Sequence, residues 1–213
     1  MQTDELIARL GMQVRALPSH AAIKRLCTAL FLGGVTAFGL LALTFGLRPD
    51  FVQAAATLPF WMKSMFTLSL VWAGVVVVRR LGDPDGRVGR AWWGLVAPLG
   101  VAAMMAIGEL VSAPGPDRLG LMVGHTASRC SLAILGLSVP VFVALLWTLR
   151  RLAPTRLRQA GGVIGILSGA AGASVYAFTC PETSAAFMIT WYSAGILAAG
   201  ALGAAVGPRS LRW

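Results

Sequence analysis

The sequence predicts an all-α integral membrane protein: a bundle of six transmembrane helices with a short N-terminal cytoplasmic amphipathic helix. Three observations carry that prediction. Of 213 residues, 57% are hydrophobic and only 12% are charged, which leaves too little polar surface to cover a water-soluble domain of this size. Six apolar stretches are each long enough to cross a hydrocarbon core of about 30 Å, which needs roughly 20 helical residues. The basic residues fall in short clusters between those stretches. That distribution is a topology signal, so the net charge of +10 does not call for direct contact with nucleic acid.

Residues 1–25 form the first segment. Thr3 is a fair N-cap, Asp4 and Glu5 complement the positive start of a helix, and Pro18 ends it. Leu6, Ile7, Leu10, Val14 and Leu17 recur at helical spacing as one apolar stripe. The polar face lacks the Lys and Arg of an interfacial anchor, so two readings stand: a helix lying on lipid, or one offered to the groove of a cytoplasmic partner. In the second, Asp4 and the five apolar residues are the partner-binding set. Because the 25 mostly polar residues precede any apolar run, no cleaved signal peptide is expected.

The transmembrane domain covers 26–206, with spans at 26–47, 58–78, 91–111, 131–149, 161–180 and 184–206, and a tail at 207–213. Arg79, Arg80, Arg87 and Arg90 lie between spans two and three; Arg150, Arg151, Arg156 and Arg158 lie between four and five. With the basic residues of both termini, these make 14 of the 18 Lys and Arg. The positive-inside rule then puts both termini and these loops in the cytoplasm.

Inside the spans, Lys63 and Glu109 lie within about two turns of the outer boundary, where a charged side chain either snorkels to the headgroups or lines a polar pocket. Pro98 and Pro140 are expected to kink their helices. Gly161, Gly165 and Gly169 repeat at intervals of four in span five, as do Gly195, Ala199, Gly203 and Gly207 in span six. Such stripes let helix backbones approach, so these two spans should pack together.

Chemistry is sparse. There is no glycine-rich phosphate loop, no His-Glu-x-x-His pattern and no midplane pair of carboxylates, which weakens enzyme and transporter readings. What remains is Cys130, at the outer start of span four, and Cys180, at the outer end of span five. If the membrane is a bacterial inner membrane, that face meets the oxidising periplasm, where the two thiols are able to form a disulfide. Arg129 and a helix N-terminus favour the thiolate at Cys130, which makes it the nucleophile and Cys180 the resolving partner. Alternatively His125, Cys130, Cys180 and Glu182 supply ligands for zinc or another soft metal ion. The plainest alternative is that the cysteines are small buried hydrophobes, which is also the expectation for Cys27.

The segments Thr3-Asp-Glu-Leu-Ile7, Gly46-Leu-Arg-Pro-Asp50, Phe60-Trp-Met-Lys63, Gly124-His125 to Cys130, Leu152-Ala-Pro-Thr-Arg156, Cys180-Pro-Glu182, Trp191-Tyr192 and Gly207-Pro-Arg to Leu211-Arg-Trp213 together resemble the six-helix membrane anti-sigma factors of the NrsF type, over essentially the whole chain. The resemblance implies a non-enzymatic regulator of the bacterial inner membrane. It would hold an extracytoplasmic-function sigma factor in the cytoplasm and release it on heavy-metal or oxidative stress sensed by Cys130 and Cys180. A small metal or metabolite permease and a membrane thiol oxidoreductase are the competing classes. Both a monomer and a homo-oligomer fit the sequence.

Overall fold

A computed structural model describes residues 19–46, 48–81, 89–150 and 156–212. Among these residues every regular element is helical. The long helices are α1 (Ser19–Thr44), α3 (Leu58–Leu81), α4 (Trp93–Ser112), α6 (Ala127–Arg150), α7 (Leu157–Tyr176) and α8 (Ala185–Ser210), with two short ones, α2 (Phe51–Ala55) and α5 (Arg118–Val123), in the connections. A π-helical turn, Met188–Tyr192, widens α8 near its start.

Five of these helices, α1, α3, α4, α6 and α8, are long and apolar enough to cross a membrane. The fifth expected span coincides with α7, which is less apolar than the others because its 20 residues include Arg158, Gln159 and five glycines. Its position explains the composition. Helix α7 packs against α1, α3, α6 and α8, and no residue from 160 to 176 is exposed. A helix surrounded by protein needs small side chains for close approach more than it needs lipid-compatible bulk. Helix α4 is the opposite case, burying only Leu95, Ala102 and Ala106. Large apolar side chains such as Phe31, Leu43, Trp72, Met104 and Val111 cover the outside of the bundle.

The glycine stripes do what their spacing predicts. A Cβ on Gly161 would run into the carbonyl oxygen of Gly203, one on Gly165 into that of Ala199, and one on Gly207 would lie 2.7 Å from that of Leu157. Helices α7 and α8 are therefore antiparallel and in backbone contact. Similar approaches join α1 to α6, where a Cβ on Gly33 would lie 2.7 Å from Val141 Cα, and α6 to α7, where one on Gly172 would lie 2.9 Å from the Ile134 carbonyl. Pro98 and Pro140 sit inside α4 and α6 without interrupting either helix.

The bundle has two distinct ends. Arg79, Arg80, Arg90, Arg150, Arg158 and Arg209 fall in terminal turns at one end, where Arg150 Nε donates to the Ser210 carbonyl. Cys130 and Cys180 lie at the other.

Several boundaries differ from expectation: α6 begins at Ala127, ahead of the expected start at 131, and α8 runs on to Ser210, into the expected tail. Helix α1 starts at Ser19, so residues 19–25 extend the first span as continuous helix, and α7 ends at Tyr176, which leaves Cys180 in the following turn. The amphipathic stripe from Leu6 to Leu17, with Asp4 before it, lies outside the described residues.

Candidate thiol site

Cys130 sits in the first turn of α6, its N–H donating to the Thr126 carbonyl at 2.8 Å; Cys180 N–H donates to the Tyr176 carbonyl at 3.1 Å as the chain leaves α7. Pro181 cannot continue a helix, so the chain turns there. Both cysteines are free thiols, 0% and 2% exposed, and their side chains lie close enough to interact. Two residues fifty apart in sequence thus meet in one buried contact.

The surrounding groups explain why this turn is held. The Glu182 backbone lies near the Cys180 sulfur. Lys63, only 7% exposed, donates from Nζ to the Cys180 carbonyl at 3.1 Å and to the Glu182 carbonyl. Of the two sequence readings for Lys63, the polar pocket is therefore the observed one and snorkelling is not. The ammonium replaces headgroup contacts with two carbonyls that the broken helix leaves without backbone donors. Glu109 likewise turns inward: its Oε2 accepts from Ser184 Oγ and from the Ala186 N–H, both at 2.9 Å. It thereby satisfies donors at the positive start of α8. Glu182 Oε1 accepts from the His125 N–H at 2.8 Å and from Thr126 Oγ1 at 3.2 Å.

Gly124 precedes that contact with φ of 57°. A Cβ there would lie 2.6 Å from the Phe187 ring and 2.9 Å from Glu182 Oε2, so both conformation and space require glycine. Tyr192, emerging from the π turn, is fully buried and brings its hydroxyl up to the Cys180 sulfur. That hydroxyl reaches no partner at regular hydrogen-bond geometry. The Tyr176 ring lies 6.1 Å from the Tyr192 ring. Phe178, beside the turn, stacks on Phe51 at 5.5 Å and meets Phe38 and Phe60 edge-on. In the connection after α1, Arg48 pairs with Asp50 through two hydrogen bonds, and the guanidinium holds the Asp50 carboxyl below its usual range.

The expected site residues are only partly gathered. Cys130, Cys180 and Glu182 converge, but His125 contributes its backbone N–H while its side chain is exposed. Among the described residues no group of three or more His, Cys, Asp and Glu side chains is placed to hold a metal ion, so the four proposed ligands do not form a closed centre in this conformation. Arg129, invoked to favour a thiolate at Cys130, is exposed. The cation that reaches the pair is Lys63, on the Cys180 side. Cys27 lies exposed on α1 rather than buried. Lys63, Glu109, Tyr176 and Tyr192 complete the site. The sequence signal for the first two is a charge inside an apolar span.

Five of the segments that carried the family resemblance, dispersed from Gly46 to Tyr192, meet at this one end. A family model described as "Negative regulator of sigma F" matches residues 10–213 of the chain. The chain belongs to the NrsF family. Its relatives include the anti-sigma-F factor NrsF of Caulobacter vibrioides (strain NA1000 / CB15N), 36% identical over 214 residues and covering all of both chains. Another is the probable anti-sigma-F factor NrsF of Azospira oryzae (strain ATCC BAA-33 / DSM 13638 / PS), 36% identical over 215 residues with the same full coverage. No solved structure matches this NrsF-family chain.

Proposed function

We propose that the chain is a membrane anti-sigma factor that sequesters an extracytoplasmic-function sigma factor at the bacterial inner membrane and releases it under heavy-metal or oxidative stress. The observation that carries this reading is the buried contact between Cys130 and Cys180 at one end of a helical bundle of the NrsF family. In this reading α7 crosses the bilayer with the five more apolar helices. The arginine-rich end and both termini face the cytoplasm, in keeping with the positive-inside rule, and the thiol end faces the periplasm. The protein is a regulator without catalytic turnover, and the sigma factor, not nucleic acid, is its direct partner.

Two adjoining thiols are suited to both signals. A two-electron oxidant converts them to a disulfide with loss of two protons. A soft cation binds them as thiolates and displaces the same protons. Either event must favour a bundle state with lower affinity for the sigma factor, since a signal that acts equally on both states shifts nothing.

Co-purification from membranes tests the proposal. The wild-type protein should retain a co-expressed sigma factor of this class and lose it when treated with peroxide or a cadmium salt, whereas the Cys130→Ser/Cys180→Ser variant should retain it throughout. Release that persists in the double variant would remove the thiol sensor. Solute uptake by proteoliposomes without sigma binding would replace the regulator by a permease.

A further inference from the structure

Lys63 is a buried cation inside an apolar helix, a costly arrangement unless its donors find partners. No carboxylate lies within ion-pair distance of it among the described residues; the salt bridge found there joins Arg48 and Asp50. A lysine two turns from a helix end could reach headgroups at little cost, yet this one points into the bundle. There its ammonium is engaged by the carbonyls of Cys180 and Glu182. The Cys180 side chain leaves this same segment and is itself buried, 2% exposed. Lys63 thus holds both ends of the Cys180-Pro181-Glu182 turn, and one of those ends holds the thiol.

We infer that Lys63 is the positioning residue of the thiol pair: it clamps the turn so that Cys180 stays buried against Cys130. The inference rests on the thiol-sensor reading for its biological sense, but its geometry stands apart from the sigma factor. The clamp also ties α3 to the turn. Glu109 ties α4 to the same segment through Ser184 and Ala186, and Cys130 and Thr126 tie in α6. Formation of a bond between the sulfurs would therefore be felt first in the helices that Lys63, Glu109 and Cys130 belong to.

Thiol accessibility in the full-length protein in lipid nanodiscs provides the test. A Cys27→Ser background removes the one exposed cysteine, so that a membrane-impermeant maleimide reports on the pair alone. Lys63→Met keeps length and apolar stem but removes the donors, and should speed labelling of Cys180 roughly tenfold, the scale of a hydrogen bond to a charged group. Lys63→Gln, with one amide to offer, should fall between. Lys63→Arg, which keeps charge and several donors, should restore labelling to within about twofold of the parent. Diamide-driven disulfide formation between Cys130 and Cys180 should slow in the order Arg, Gln, Met as the two sulfurs lose their register.

Labelling and cross-linking unchanged in Lys63→Met would overturn the inference. So would equal damage in Lys63→Arg and Lys63→Met, which marks a packing role only. Should Lys63→Met aggregate, the comparison of Lys63→Gln with Lys63→Arg decides the matter in the same way. Failure of the thiol-sensor reading is separately visible: sigma release would then ignore Cys130 and Cys180 even though the labelling order held.

Discussion

At the scale of single residues, the polar groups of the thiol end are distinguished by what they touch rather than by their type. Arg48 and Asp50 form a half-buried pair, while Lys63 and Glu109 satisfy backbone groups of a turn and a helix start. The Asp50 carboxyl is held below its ordinary pKa by Arg48, which fixes the sign of a pH effect. A lowered folded-state pKa contributes order that is present above the unfolded value and is lost as pH falls through the folded value. Acidification below about pH 4, the ordinary carboxylate range, should therefore lower the hydrogen-exchange protection factors, corrected for the intrinsic pH dependence of exchange, in the connection after α1. Asp50→Asn should show the lowered protection already at neutral pH. The thiols, their shared end and Glu182 were legible in the sequence because depth along a span is set by residue count. The direction of Lys63 was not, because a featureless apolar helix such as α3 gives no azimuth, and only the neighbouring Cys180-Pro181 turn supplies carbonyls to draw the side chain inward.

At the scale of elements, small residues govern. The intervals of four in α7 and α8 correctly foretold their contact, because spacing alone determines which side chains share a helix face. The same composition hid the status of α7: glycine lowers its apolar content at the very positions where protein replaces lipid. Gly165→Leu would force bulk against the Ala199 backbone, where even a Cβ has no room. Overpacking of this kind typically costs about 1–3 kcal/mol. A lowered unfolding midpoint in detergent is the expected result, with Gly136→Leu, where a Cβ meets nothing within 4 Å, left close to the parent. The π turn of α8 was not foreseeable from periodicity, and it is what carries Tyr192 to the sulfurs.

At the scale of the whole molecule, the thiol site and the amphipathic stripe from Leu6 to Leu17 belong to opposite ends if the chain crosses as proposed. Signal and output are then joined only through the bundle. Deleting residues 2–17 should abolish co-purification of the sigma factor while leaving maleimide labelling of Cys130 and Cys180 unchanged; undiminished binding would assign the partner surface to the arginine-rich end instead. That segment lies outside the described residues, so the stripe stands on its sequence pattern alone.

The burial of α7 also bears on how the protein is made. A segment with five glycines and a charged first turn gains little by entering lipid by itself, and its backbone approaches are useful only once α8, α6 and α3 are present. If α7 crosses the bilayer as proposed, its insertion should be cooperative, with α7 and α8 entering as a hairpin closed by their glycine seam. A truncated chain that ends after α7 would leave that helix without its seam partner, and would be a substrate for membrane quality control rather than a shorter regulator.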